Sequence, residues 1–170
     1  MWNKLSPYDF GDNLFHLIDK EWMLITAKNP ETGKCNTMTA SWGGCGILWN
    51  KPVAFLFIRP QRYTMEFVNA NDTLTLSFFH EAYRDALRLC GSVSGRDCDK
   101  IAKAGLHTEE LETENALGFQ EAKYTFVCRK LYQDVLKESA FLDPSLLANY
   151  KAGDYHNVFI CEIEEILEKA

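Results

Sequence analysis

The chain has 170 residues, of which 46% are hydrophobic and 13% aromatic, which is typical of one globular domain and not of a disordered or fibrous protein. Its 24 acidic residues outnumber its 18 basic residues, and the formal net charge of −6 argues against a nucleic-acid partner. The longest apolar run is too short to span a bilayer and the first residues lack a signal-peptide pattern, so we expect a cytoplasmic protein with no membrane partner.

Six cysteines are spread along the chain, at positions 35, 45, 90, 98, 128 and 161. No two of them form a C-x-x-C pair, and no histidine stands at zinc-ligand spacing from them, so we expect neither disulfides nor a metal site. We expect most of these cysteines to act as small buried apolar residues in a reducing compartment.

The hydrophobic pattern along the chain predicts mostly strands. A short amphipathic segment comes first, at 12–19, and a turn at 29–33 follows the first predicted strand. Helices are predicted at 61–69 and 82–89, and the polar section 91–118 is predicted to be loop-like. Alternating or continuous apolar runs predict strands at 22–27, 36–41, 47–49, 53–58, 73–79, 122–135 and 158–166.

About seven strands separated by a few short helices indicate a mainly β fold. We expect a closed or nearly closed antiparallel barrel, because closure removes exposed strand edges, and an open sandwich is the main alternative. No repeat, low-complexity stretch or linker marks a boundary, so we expect residues 1–170 to form a single domain.

The first candidate site segment is N-T-M-T-A-S-W at 36–42, which places small polar side chains within an apolar part of the chain. Small side chains let a backbone approach a ligand closely, and hydroxyls both donate and accept hydrogen bonds, which suits a flat heteroaromatic ring with a polar edge. Alternatively, the hydroxyls satisfy backbone groups nearby.

The second segment, R-P-Q-R-Y-T at 59–64, follows the continuous apolar strand and leads into a predicted helix. Guanidinium groups fork onto phosphate oxygens, so the two arginines beside a helix start predict a phosphate site. Alternatively, this is a solvated loop with surface ion pairs.

The third segment, S-V-S-G-R-D-C-D-K at 92–100, combines a glycine turn with Arg96 and Lys100 and leads into a short predicted helix. Its simpler interpretation is a capping loop, because Asp97 and Asp99 are natural N-cap residues. Alone, this segment predicts little.

These three segments, with G-L at 105–106 and H-N-V-F-I-C-E-I at 156–163, resemble in order and spacing the flavin reductase-like proteins that bind FMN on a split β-barrel. That group includes flavoredoxin and the flavin-providing partners of two-component monooxygenases. The resemblance runs from about residue 22 to 166, and it implies that FMN lies at the interface of a homodimer.

The resemblance also implies roles for individual residues. The isoalloxazine ring would contact Thr37, Met38, Thr39, Ala40, Ser41 and Trp42. The phosphate and ribityl chain would contact Arg59, Arg62, Tyr63 and Thr64, without a choice between the two arginines. Arg96 and Lys100 would contact the cofactor or a nicotinamide, Asp97 would brace its loop, and His156 and Lys100 would be the catalytic residues.

The family's usual chemistry implies hydride transfer from NADH or NADPH to the flavin. No Rossmann G-x-G-x-x-G is present, so a nicotinamide would bind over the flavin. The alternatives are a flavoredoxin-like electron carrier reduced by a redox protein partner, and a barrel that has lost its cofactor. The glycine-rich stretch around Cys45 and the stretch 78–87 depart from the family pattern, and Cys45 is either a small strand residue or a thiol beside the flavin.

Overall fold

A computed structural model describes all 170 residues and shows a mainly β chain. The strands are β1 (Trp2–Leu5), β2 (Met23–Lys28), β3 (Cys35–Ala40), β4 (Gly43–Leu48), β5 (Lys51–Ile58), β6 (Thr73–Phe78), β7 (Thr108–Glu110), β8 (Leu117–Phe119), β9 (Tyr124–Val135) and β10 (Asn157–Lys169). The α-helices are α1 (Leu14–His16), α2 (Thr64–Ala70), α3 (Arg84–Ser92) and α4 (Lys100–Lys103). No helix combines the length and the apolar character needed to cross a bilayer.

Seven strands form a continuous antiparallel sheet in the order β3-β2-β6-β9-β10-β5-β4, with β1 paired to β10 and with β7 and β8 in a separate hairpin. The two end strands, β3 and β4, are joined in sequence by Ser41 and Trp42 alone, so the sheet curls until its edges meet. They do not pair with each other, which leaves the barrel split at that point. This architecture confirms the predicted split β-barrel.

Gly43, the first residue of β4, stands at a position that requires glycine. Its φ of +150° lies in a region that residues with a side chain rarely adopt. A Cβ there would stand 2.8 Å from the carbonyl oxygen of Phe55 and 3.4 Å from the end of the Met23 side chain. The glycine run that departs from the family pattern is therefore part of β4.

The main apolar core fills the barrel, where alternate residues of the long strands point inward. Phe78, Phe126 and Phe159, from β6, β9 and β10, are buried there. A second cluster, which includes Leu24 and Leu87, packs α3 against the outside of β2. Together these clusters fix the positions of β3, β5 and α3, the elements that surround the candidate site.

Most predicted elements agree with the structure to within three residues, and two do not. The strand predicted at 47–49 begins earlier, at Gly43, and ends at Leu48. It ends there because Trp49 and Asn50 form a two-residue turn, with φ of +51° and +57°, between Leu48 and Lys51. The section 91–118, predicted to be loop-like, contains strand β7 and the start of β8, which its polar composition concealed because each strand has only three residues. The short helix predicted after the third segment is α4, which begins at Lys100.

The connection between β9 and β10, residues 136–156, is long and leaves the sheet. It contains two 3₁₀ segments, Glu138–Ala140 and Pro144–Tyr150, and a cluster of aromatic rings in which Tyr150 stacks on Tyr155 at a centroid distance of 5.0 Å. Its ends come together where the amide of Leu136 donates to the carbonyl of His156 at 3.0 Å. The segment therefore delivers His156 to the start of β10.

Candidate functional site

Two adjoining cavities at the ends of β3 and β5 form one cleft. The larger, about 290 Å³, lies between the loop after β5, residues 92–94 and α4, and we call it the cationic end. The smaller, about 150 Å³, lies between β3, Trp42 and the start of β10, and we call it the aromatic end. Met38, Arg59 and Arg62 line both cavities, so the two ends are continuous.

The cleft carries positive charge without acidic residues. Arg59, Arg62 and Lys100 line it, and no aspartate or glutamate does, although the chain as a whole has a formal net charge of −6. Arg59 is paired with Asp154, but Arg62 and Lys100 pair with no carboxylate, and uncompensated cations inside a concave site attract an anionic ligand. The cleft is therefore suited to an anion.

Arg62 is the arginine with free hydrogen-bonding capacity. One of its guanidinium nitrogens, Nη1, donates to the carbonyl of Gly91 at 3.0 Å, and the side chain forms no ion pair with a carboxylate. A guanidinium has five N–H donors, so several remain for a ligand. The bond to Gly91 anchors the side chain at the junction of the two ends.

Lys100 is a buried ammonium with no carboxylate partner. Lys100 is 4% exposed, and its Nζ donates to the carbonyl of Cys90 at 2.8 Å and to that of Val93 at 3.2 Å. Burial, and to a smaller extent the charge of Arg62, lowers the pKa of Lys100. An ammonium has three N–H donors, so one remains for an anion in the cationic end.

Arg59 is held by the protein itself. Nη1 donates to Asp154 at 2.6 Å, Nη2 donates to the carbonyl of Asn149 at 3.0 Å, and the guanidinium lies 5.1 Å from the ring centroid of Tyr150. Gln61 also donates to Asp154, at 2.8 Å. Arg59 therefore ties the 136–156 connection to the end of β5, and much of its charge is neutralised.

The aromatic end is walled by Trp42, Phe57 and His156. The ring centroid of His156 lies 5.5 Å from that of Trp42 and 6.3 Å from that of Phe57. His156 is 6% exposed, and its Nδ1 shares a 2.7 Å hydrogen bond with the hydroxyl of Tyr150. Burial, with the charge of Arg59 as a second cause, lowers the pKa of His156 to about 4, so the ring is neutral at pH 7.

Strand β3 presents Met38, Thr39 and Ala40 to the aromatic end. The hydroxyl of Thr39 already donates to the carbonyl of Leu87 at 2.5 Å, and the fully buried hydroxyl of Thr37 bonds Thr26 at 2.8 Å. Strand alternation puts these two hydroxyls on the same face, directed at the protein and not at the cleft. Thr37 and Thr39 therefore match the alternative interpretation, in which the hydroxyls form hydrogen bonds with nearby protein groups.

Ser41 and Trp42 connect the cleft to a neighbouring apolar groove. The groove, about 350 Å³, is lined by Leu14, Phe15, Ile18, Asp19, Ser41, Trp42, Gly43, Gly44 and Cys45. Only Trp42 lines both the groove and the aromatic end. Burial raises the pKa of Cys45 to about 12, so this residue is a neutral thiol and not a reactive thiolate.

Tyr63 and Thr64 lie in the cationic end, and Arg96 lies outside it. Thr64 is 1% exposed and accepts a hydrogen bond from Asn36 at 2.9 Å. Arg96 pairs with Glu66 at 2.5 Å and lies 4.6 Å from the ring centroid of Tyr63. Arg96 therefore positions Tyr63 and does not line the cleft.

The loop that precedes α4 closes the cationic end. It crosses β3 at Gly95, where a Cβ would lie 2.1 Å from Oδ1 of Asn36. Asp99 caps α4 by accepting from the amide of Ala102 at 3.1 Å, in agreement with the capping interpretation, while the amide of Asp97 closes a turn onto Ser94. The cap starts α4 at Lys100 and so sets the direction of its ammonium.

Several residues of the site were missed by the sequence analysis. Phe57, Gln61 and Val93 line the cleft, and although they lie within the predicted strand 53–58 and the segments 59–64 and 92–100, no role was predicted for them. Tyr150 and Asp154 contact site residues from the 136–156 connection, for which the sequence pattern predicted no role. No group of three or more histidine, cysteine, aspartate or glutamate side chains is placed to hold a metal ion.

Comparison with known proteins identifies the family and the fold. The flavin reductase like domain matches residues 15–170, and no curated protein matches the chain. An FMN-binding domain of a flavin reductase-like enzyme from Shewanella baltica superposes with a TM-score of 0.70 at 14% identity, over 99% of this chain and 77% of that one. Flavoredoxin from Methanosarcina acetivorans gives 0.68 at 20% identity, over 97% and 76%. At these identities the structural likeness shows the fold alone.

A third similar structure is the 2-nitrobenzoate 2-nitroreductase of Pseudomonas fluorescens, with a TM-score of 0.65 at 13% identity over 91% of this chain and 70% of that one. The three names differ in the activity they state, while the barrel they share is the same. The fold is therefore common to several activities, and the activity has to be argued from the site.

Proposed function

The chain belongs to the family of flavin reductase-like domains, and from this premise we propose that it binds FMN in the cleft and accepts hydride from NADH or NADPH. The observation that carries the proposal is the cleft's division into a cationic end without acidic residues and an aromatic end. A phosphate fits the first, and a flat heteroaromatic ring fits the second.

The donor set of the cationic end fits a phosphate group. Arg62 and Lys100 have N–H donors that no protein group uses, and Tyr63 and Thr64 add hydroxyls nearby. The proposed roles are that Arg62 and Lys100 bind the phosphate, while Arg59 braces the wall of the cleft through Asp154. Under this proposal Arg62, and not Arg59, is the arginine that contacts the ligand.

The aromatic end fits the ring. Met38 and Ala40 offer small or flexible apolar surface from β3, and Trp42 and Phe57 add aromatic walls. His156, neutral at pH 7, offers a hydrogen bond to a polar ring edge. Thr39 would contribute main-chain groups, whereas Thr37 lines neither end of the cleft and Ser41 lines only the neighbouring groove.

FMN, when bound, supplies the redox chemistry, because its ring accepts hydride from a reduced nicotinamide. The chain's own contribution is to orient the two rings and to exclude water from the space between them. Arg62 lines both ends of the cleft, so its positive charge also lies beside the aromatic end, where a reduced ring would carry negative charge. Of the two residues expected to be catalytic, His156 lines the aromatic end and is proposed to act nearest the reacting atoms, whereas Lys100 lines only the cationic end and is proposed to bind the phosphate.

The test is the anaerobic visible spectrum of the FMN-loaded protein before and after a stoichiometric addition of NADPH, and then of NADH. Bleaching of the flavin band by either nucleotide is the expected result and names the donor. A flavin band that persists with both nucleotides would refute the reductase.

A second candidate is an electron carrier, supported by the similarity to flavoredoxins from Methanosarcina acetivorans and Desulfovibrio vulgaris. In that case the flavin band would persist with both nucleotides and bleach with a reduced ferredoxin-like protein. Rapid turnover with pyridine nucleotide alone would exclude this candidate.

We also propose that the protein is a homodimer in which the groove beside the cleft is covered by a second copy. The support is the exposed apolar surface around the free edge of β4, where Phe15 is 89% exposed, Ile47 61% and Trp49 53%. Trp42 belongs to both groove and cleft, so this interface would adjoin the aromatic end. Light scattering should give a dimer mass, and Ile47→Glu should give a monomer; a monomeric wild type would refute the proposal.

A further inference from the structure

Tyr150 and His156 form a buried pair beside the aromatic end. The Tyr150 hydroxyl and Nδ1 of His156 lie 2.7 Å apart, and the two residues are 8% and 6% exposed. The rings meet edge to face at a centroid distance of 5.4 Å. Heavy-atom positions do not identify the donor of this bond, because either group can carry the shared proton.

The donor follows from counting protons. Burial raises the pKa of Tyr150, so its hydroxyl is protonated at neutral pH, and it forms no other hydrogen bond in the protein. The neutral imidazole of His156 carries one N–H, on either Nδ1 or Nε2. If Nδ1 carried it, the phenolic proton would lack a partner in the protein. Tyr150 therefore donates to Nδ1, and the imidazole proton is on Nε2.

Nε2 opens onto the cleft. Nε2 makes no hydrogen bond within the protein. Every side-chain nitrogen or oxygen that is sealed from solvent does have a hydrogen-bond partner. Nε2 is therefore accessible, on a residue that lines the aromatic end together with Trp42 and Phe57. Its N–H is available to a ligand there.

We propose that Tyr150 is a positioning residue: its hydroxyl holds His156 in the tautomer whose Nε2–H donates a hydrogen bond to a carbonyl oxygen or ring nitrogen of the bound ring. This rests on the proposed function of the cleft. The same Tyr150 ring is fixed by its stack on Tyr155 and by the guanidinium of Arg59, which Asp154 holds in turn. The 136–156 connection thereby sets the hydrogen-bonding character of the aromatic end.

The first test is a ¹⁵N–¹H correlation spectrum of the imidazole groups in the full-length chain at pH 7, before and after saturation with FMN. His156 is one of four histidines, and its signals are assigned by their loss in His156→Gln. The wild type should show the proton on Nε2 without any ligand, and Tyr150→Phe should show a mixture of tautomers. A wild-type proton on Nδ1, or an unchanged tautomer in Tyr150→Phe, would overturn the proposal.

The second test measures FMN dissociation constants in a double-mutant cycle. Tyr150→Phe keeps the ring and should weaken binding by about two- to tenfold, as expected for one hydrogen bond, while Tyr155→Phe in the same cluster should leave it unchanged. In a His156→Gln background, the amide supplies an N–H without Tyr150, so Tyr150→Phe should then change the constant less than about twofold. Equal effects in both backgrounds would show that Tyr150 acts only through packing.

The two tests separate this inference from the proposed function. A fixed Nε2–H tautomer in a protein that does not bind FMN would refute the function of the cleft and leave the tautomer assignment intact. FMN binding by a protein whose His156 carries its proton on Nδ1 would refute the role of Tyr150 alone.

Discussion

Replacing Arg62 with alanine tests the assignment of the cationic end most directly. Arg62 lines both ends of the cleft and has no acidic partner, so the lost interaction with a phosphate would be a charge-assisted hydrogen bond of about 1.5–3 kcal/mol. Arg62→Ala should therefore raise the dissociation constant of FMN about 10- to 150-fold. Riboflavin has the same ring without the phosphate, and its constant should change less than about threefold.

The assay is titration of the cofactor-free protein with FMN and with riboflavin, followed by the quenching of flavin fluorescence. Arg88→Ala is the matched control, because Arg88 is an exposed arginine paired with Asp85 at 2.9 Å, away from the cleft. The bond from Arg62 to Gly91 is also lost, so the free energy of unfolding should fall by about 0.5–1.5 kcal/mol. Equal weakening of FMN and riboflavin would refute phosphate recognition by Arg62.

Three further predictions concern stability and charge. Lys100→Met should weaken FMN binding about tenfold or more in the same fluorescence titration. It should also lower the unfolding free energy by about 1–3 kcal/mol in urea, because two carbonyl groups lose their donor. Lys103→Met, an exposed change in the same helix, should change neither quantity. The folded-state pKa of His156 is lowered to about 4 from 6.5, so the unfolded chain binds more protons between these values, and stability should fall by up to about 3 kcal/mol as the pH drops from 6.5 to 4. His156→Gln should flatten that part of the stability curve, and an unchanged slope would contradict the assignment. Asn50→Gly should raise the unfolding free energy by up to about 1 kcal/mol in thermal melts, because glycine suits the positive φ angle at the second position of this turn and Trp49, part of the proposed interface, is kept; a lower melting temperature would contradict this.

The barrel could be predicted from the sequence because its strands carry strong period-two patterns. The alternation of V-F-I-C-E-I-E-E-I and the apolar run of β5 reflect burial of one or both faces, which local sequence records directly. Arg62, Lys100 and His156 could also be predicted as candidate residues, because Arg62 lies between β5 and α2, Lys100 begins α4 and His156 immediately precedes β10.

The remaining site details depend on contacts between distant parts of the chain. Whether Arg59 or Arg62 is free was decided by Asp154, which pairs with Arg59 from 95 residues later in the sequence. The orientation of the Thr37 and Thr39 hydroxyls was decided by their packing against β2 and α3. Sequence patterns report which residues are buried but not which partner satisfies them, so these features required the structure.

The placement of residues 136–156 has a consequence for how such a protein can diversify. This segment pairs with no strand of the barrel, yet it ends at His156 and supports the aromatic end through Tyr150. If the cleft binds a ligand as proposed, substitutions within this segment would alter the ligand's surroundings while the core residues of the barrel stay the same. Exchange of this one segment between homologues would then change substrate preference on an unchanged barrel.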